Sequence, residues 1–118
     1  MSAPPLTVVI RMQSHPGKRD ELIAQCGIIT GIGRGEDGTL GFSYSFAGDR
    51  LLAIEMYADA AAFQRHLELA ATIALHSEEV AEIEDVMIIG TPDDLEELAD
   101  VVRELGAATS AIVTGFHK

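Results

Sequence analysis

An α+β fold, with one antiparallel sheet carrying helices on one face, is predicted by three observations. Segments rich in β-branched and aromatic residues alternate with segments of helical periodicity. Glycine, proline and aspartate punctuate the junctions. The length of 118 residues, 47% of them hydrophobic, suits one core and one domain spanning 1–118.

The first strand is expected at LTVVIRMQ (6–13), where Leu6, Val8, Ile10 and Met12 alternate with Thr7, Val9, Arg11 and Gln13. His15-Pro16-Gly17 breaks it, and from Lys18 the period becomes helical, with Leu22, Ile23, Cys26 and Ile29 on one stripe. That helix should fail in the glycine-rich stretch Gly31 to Gly38. Two strands follow, TLGFSYSF (39–46) and LLAIEMYA (51–58), joined through Ala47-Gly48-Asp49-Arg50, whose glycine and aspartate suit a hairpin. Leu40, Phe42, Tyr44 and Phe46 share one face of the first, and Leu52, Ile54 and Met56 one face of the second. Asp59 can cap the next helix, on which Phe63, Leu67, Ala70 and Ala74 form an apolar stripe.

EDVMIIG (84–90) reads as a fourth strand, buried on both faces over Val86 to Ile89. Thr91 at the N-cap, Pro92 at N1 and Asp93-Asp94 near the positive end of the dipole then open a helix. Its stripe is Leu95, Leu98, Val102 and Leu105, and Gly106 stops it. SAIVTGF (110–116) is expected as a last strand. The order is therefore ferredoxin-like, β-α-β-β-α-β with an extra C-terminal α-β.

The net charge of −11 is uneven: residues 78–118 hold 2 Lys/Arg against 11 Asp/Glu. Such a surface repels phosphate backbones, so neither nucleic acid nor an anionic membrane is an expected partner. No apolar run reaches the roughly 18–20 residues of a membrane span, and MSAPPLTVVI lacks a basic segment and a cleavage site, so a cytoplasmic protein is expected. The single cysteine, Cys26, excludes an intrachain disulfide framework.

Few residues carry chemistry. Gly31-Ile32-Gly33-Arg34-Gly35 follows a helix and matches no phosphate-loop spacing. Cys26 lies on an apolar stripe, where a free thiol behaves as a small hydrophobe. The histidines, His15, His66, His76 and His117, show no i, i+4 pairing, and no metal site is expected. His66 stands out because it falls about 60° from Phe63 around the helix, at the margin of the apolar stripe. His76 points away from that stripe if the helix is straight.

The segment around His66 resembles the antibiotic biosynthesis monooxygenase superfamily. The likeness rests on Gly38-Thr39-Leu40-Gly41-Phe42, then Glu55, Tyr57, Asp59, Ala62, Phe63, His66 and Leu67, and it covers about residues 6–76. It implies a homodimer in which two sheets face each other as a dimeric α/β barrel, each protomer holding a pocket between sheet and helices. Relatives in that superfamily include cofactor-free oxygenases of polycyclic phenols and quinols, haem-degrading enzymes and signal-molecule isomerases. The haem branch presses a tryptophan on its ligand, and this chain has none.

The expected function is therefore a cofactor-independent monooxygenase acting with O₂ on a small aromatic phenol, a quinol or a polyketide-like molecule. The alternatives are a non-catalytic dimer that binds a small apolar or aromatic molecule, and a haem-binding relative. A phenol or enol, once deprotonated, can itself reduce O₂, so the site needs a base, an orienting group and a dry pocket. His66 is the candidate base, Tyr44 the candidate orienting hydroxyl, and Phe42, Phe46, Phe63 and Leu67 the candidate substrate-binding wall. Glu55 and Tyr57 are assigned instead to the dimer side of the sheet, with Arg11 as a partner for Glu55.

Overall fold

A computed structural model describes residues 3–72 and 77–118. Its elements are β1 (Leu6–Ser14), α1 (Arg19–Arg34), β2 (Thr39–Ala47), β3 (Arg50–Tyr57), α2 (Ala60–Thr72), α3 (Ser77–Val80), β4 (Ala81–Gly90), α4 (Pro92–Glu97), α5 (Ala99–Leu105) and β5 (Ala108–Ala111). The strands form one sheet in the order β2-β3-β1-β4-β5, in which only the β4–β5 pairing is parallel. This is the expected ferredoxin-like order with its added C-terminal unit.

Local chemistry explains the boundaries. The Asp59 carboxylate accepts from the Ala62 amide at 2.9 Å and caps α2. The Thr91 hydroxyl accepts from the Asp94 amide at 3.2 Å, with Pro92 opening α4. Gly106 ends α5 at φ 64°, a left-handed conformation that glycine adopts without steric penalty.

The C-terminal half departs from expectation in three ways. The single expected helix is two, α4 and α5, broken at Leu98, whose side chain is fully buried as an anchor against the sheet. β4 starts at Ala81, because Ser14 pairs with it and a bulge between Arg11 and Met12 carries the ladder on past Asp85. β5 stops at Ala111, the partner of Gly90, where β4 ends and offers nothing further to pair with.

Strand alternation divides the sheet into two chemically different faces. Leu6 and Val8 of β1, Leu51, Ala53 and Tyr57 of β3 and Val86 and Ile88 of β4 are buried beneath the helices. All but Ala53 fall into two clusters: Leu6, Val8, Tyr57, Val86 and Ile88 with Ala60, Ala62 and Phe63 of α2 and Leu98, and Leu51 with Leu22 and Cys26 of α1, Val80 and Ala81. The opposite face holds Val9, Ile54, Met56, Met87 and Ile89, all half-buried, and the exposed Leu52. β4 is thus buried on its Val86/Ile88 side only, which corrects the two-faced burial expected for it. Among the described residues no helix is long and apolar enough to cross a membrane.

Candidate active site

The same alternation puts a carboxylate in the core. Glu55 shares the helix-covered face of β3 with Leu51, Ala53 and Tyr57, and in register it stands between Phe42 of β2 and Val8 of β1. It is only 7% exposed. An ionised carboxylate there is costly unless its oxygens are hydrogen-bonded, and both are. The Tyr57 hydroxyl donates to Oε1 at 2.7 Å and the Tyr44 hydroxyl to Oε2 at 2.9 Å.

This arrangement corrects the assignment of Glu55 and Tyr57 to the dimer side. Periodicity pairs residues on a face but does not say which face the helices cover, and the more apolar set, Leu52, Ile54 and Met56, is the outer one. Arg11 also lies on the outer face, where its guanidinium is 3.8 Å from Asp85 and not beside Glu55.

Beside Tyr44 and Glu55 is a cavity of about 100 Å³ between α1 and the sheet. Leu22, Cys26 and Ile29 of α1 and Ile10 and Met12 of β1 wall it, so its surface is apolar except at the Tyr44–Glu55 end and at Gln25. Burial, and then the charge of Glu55, raise both tyrosine hydroxyls far above the ordinary phenol range, so each stays a protonated donor. Burial, with Glu55 adding to it, pushes the Cys26 thiol up to about 11.

A thiol raised in this way is un-ionised at neutral pH, and thiolate is the reactive form. Cys26 should therefore resist iodoacetamide at pH 8, and its rate in the folded protein should climb toward pH 11. The same thiol in urea-unfolded chain should react at the rate of an ordinary cysteine. Rapid alkylation of the folded protein at pH 8 would show that the cavity is open to water.

His66 occupies a second buried cluster. Its Nδ1 lies 2.7 Å from Glu36 Oε1, with the side chains 5% and 9% exposed. The Thr39 hydroxyl donates to the same oxygen at 3.2 Å, while Glu36 Oε2 has no hydrogen-bond partner among the described residues. The His66 ring packs edge-on to Phe42 at 5.1 Å and against Tyr57 at 5.6 Å between centroids. His66 thus sits one ring behind the cavity wall, with Tyr57 between it and Glu55, and not on the cavity surface itself. The stripe arithmetic puts it at the core margin; Phe42 of β2 and Glu36 from the loop after α1 enclose it, and helix geometry alone could not foresee them.

The other candidates divide in the same way. Tyr44 lines the cavity. Phe42 packs tilted against Tyr44 and edge-on against Tyr57, both at 5.9 Å between centroids, and Phe63, 2% exposed, packs on Tyr57 at 5.1 Å. Phe46 packs on the α1 cluster beneath the Arg19 guanidinium, 5.1 Å from its ring, and Leu67 is half-buried against the α2 cluster. Leu40 leaves their face because a bulge between Thr39 and Gly41 shifts the register, and it is exposed. His76 and Ala74 lie outside the described residues. Among the described residues no three His, Cys, Asp or Glu side chains converge as metal ligands would.

The fold and this site define a ferredoxin-like protein with an internal acid–base cluster. The family model for antibiotic biosynthesis monooxygenase matches residues 5–78, and the chain belongs to that family. Among solved structures, MupZ from Pseudomonas fluorescens superposes with a TM-score of 0.91 at 18% identity, covering 100% of this chain and 92% of that one. Rv0793 from Mycobacterium tuberculosis gives 0.64 at 21% identity, covering 71% and 91%. PA3566 from Pseudomonas aeruginosa gives 0.62 at 22% identity, covering 75% and 92%. Likenesses this remote in sequence establish the fold. The first of them extends through the C-terminal α-β addition as well. No curated protein matches the sequence.

Proposed function

We propose that this chain is a cofactor-independent monooxygenase of small, weakly acidic phenols, quinols or enols. The observation that carries the reading is the Glu55 carboxylate, held by Tyr44 and Tyr57 at the polar end of a cavity whose remaining wall is apolar apart from Gln25. Family membership supports oxygenation over other base-assisted reactions.

In the proposed reaction Glu55 takes the proton of a substrate hydroxyl, and Tyr44 orients the resulting oxyanion. The electron-rich anion passes electrons to O₂ and a carbon–oxygen bond forms, giving a hydroperoxide once a proton is returned. Loss of water, with the hydrogen on that carbon leaving as a proton, yields a carbonyl. For a hydroquinone the balance is hydroquinone plus O₂ to hydroxyquinone plus water. The apolar walls exclude competing water, so the carboxylate meets the substrate hydroxyl without a hydration shell. Phe42 and Phe63 hold the rings of Tyr44 and Tyr57 in place. His66, paired with Glu36 and packed on Tyr57, acts through that tyrosine as a positioning residue, and Phe46 and Leu67 complete the surrounding wall. Oxygen uptake on addition of hydroquinone, above the rate without protein, is the test. Binding without uptake across a panel of phenols and quinols would favour the non-catalytic binder.

The active form is proposed to be a homodimer joined through the outer sheet face. Val9, Ile54, Met56, Met87 and Ile89 make an apolar surface there that a lone chain leaves to water. Sedimentation at micromolar concentration should report two chains, and Ile54→Lys should report one. A wild-type chain that sediments as a monomer would contradict this.

A further inference from the structure

The wall of the cavity beside Glu55 contains one polar group that no other described residue engages. Tyr44 and Glu55 are bonded to each other, but the side-chain amide of Gln25 has no hydrogen-bond partner among the described residues. Gln25 stands on α1 in the run Leu22, Gln25, Cys26, Ile29, an i, i+3, i+4, i+7 spacing whose other members are apolar. Packing of the helix on the sheet would be served there by a leucine or an isoleucine, and a glutamine breaks the stripe.

Burial places this amide relative to the carboxylate. Glu55 and Cys26 are buried, whereas Gln25 and Ile29 of α1 and Met12 of β1 are half-buried. Glu55 therefore lies at the inner end of the cavity, and the rim reaches the surface beside Gln25. The amide carries both a donor and an acceptor, so it suits a hydroxyl or a carbonyl oxygen. We infer that Gln25 determines specificity by holding a second oxygen of the substrate, hydroxyl or carbonyl, at the end remote from the hydroxyl that Glu55 deprotonates. The substrate class is thereby narrowed to phenols and quinols with oxygen substituents at both ends of the ring system. Because the rim is open, the number of fused rings between those oxygens is not limited by the cavity. This rests on the reading of the cavity as the substrate site.

Anaerobic calorimetric titration with 2-naphthol, 2,6-dihydroxynaphthalene and 2,7-dihydroxynaphthalene tests the inference without turnover. Wild type should bind at least one of the diols five or more times as tightly as 2-naphthol, the scale of one added neutral hydrogen bond and more than the roughly twofold that two equivalent hydroxyls give by counting. Gln25→Met keeps the length of the side chain and removes the amide. It should reduce the preference to about twofold, leave the affinity for 2-naphthol within about twofold of wild type and leave the circular dichroism unchanged. Equal binding of 2-naphthol and both diols by wild type, or a preference that persists in Gln25→Met, would overturn the inference. Failure of all three compounds to bind would overturn it together with the reading of the cavity as the substrate site. If the preference appears and is lost in Gln25→Met but no phenol or quinol consumes oxygen, the recognition by Gln25 stands and the monooxygenase reading fails. Oxygen uptake without any diol preference has the reverse meaning.

Discussion

Replacing Glu55 by glutamine is expected to lower turnover of any substrate by about 10²- to 10⁴-fold, the range that a positioned general base contributes. Glutamine has nearly the same shape, and its carbonyl oxygen can still accept from one of the two tyrosine hydroxyls that hold the carboxylate. Substrate affinity and the unfolding midpoint should therefore change much less than the rate. Tyr44→Phe removes the hydroxyl donated to Oε2 but leaves the base, so a smaller loss is expected there, carried by substrate orientation. A Glu55→Gln variant within tenfold of wild type would show that the proton is taken elsewhere.

The largest effect on stability is expected at His66. Leaving a buried polar group without its partner costs about 1–3 kcal/mol, and more when that group is charged. His66→Ala leaves Glu36 with only the Thr39 hydroxyl and also removes the ring packed on Phe42 and Tyr57. Urea unfolding should show a correspondingly lower midpoint. His66→Gln, whose amide can still donate to Glu36, should recover part of the loss, and Glu36→Leu in the His66→Ala background should recover part of it by removing the orphaned carboxylate. If His66 positions Tyr57, folded His66→Gln should also alter the pH profile of turnover, which packing alone would leave in place. An unchanged midpoint in His66→Ala would mean that the buried pair contributes nothing.

Much of this architecture is legible in the residues. Alternation in LTVVIRMQ and helical spacing at Leu22, Cys26 and Phe63 give the elements, and Asp59, Thr91-Pro92 and Gly106 mark their ends because capping is local chemistry. The buried carboxylate of the candidate site is legible only in part. Glu55 stands on the strand with the parity of Leu51, Ala53 and Tyr57, which is the signal for it, but Leu52, Ile54 and Met56 form a more apolar alternate set. The choice between these faces depends on where the helices dock, and strand periodicity contains no information on that. His66 is legible in the opposite sense. Its angle on α2 is right, but its surroundings come from Glu36, thirty residues away in sequence, and from Phe42 on β2. The bulge at Thr39/Gly41 similarly turns Leu40 out of a face that simple counting gives it.

By the proposed mechanism, this chain inserts one atom of O₂ into a small phenolic or enolic substrate without an external reductant, using Glu55 as the base. Incubation of the protein with hydroquinone under ¹⁸O₂, followed by mass spectrometry of the product, tests it most directly. One ¹⁸O is expected in the hydroxyquinone and the other in water, at a rate that falls at least a hundredfold in Glu55→Gln. Benzoquinone carrying no label, formed with hydrogen peroxide, would contradict it, as would labelled product formed equally fast by the Glu55→Gln variant.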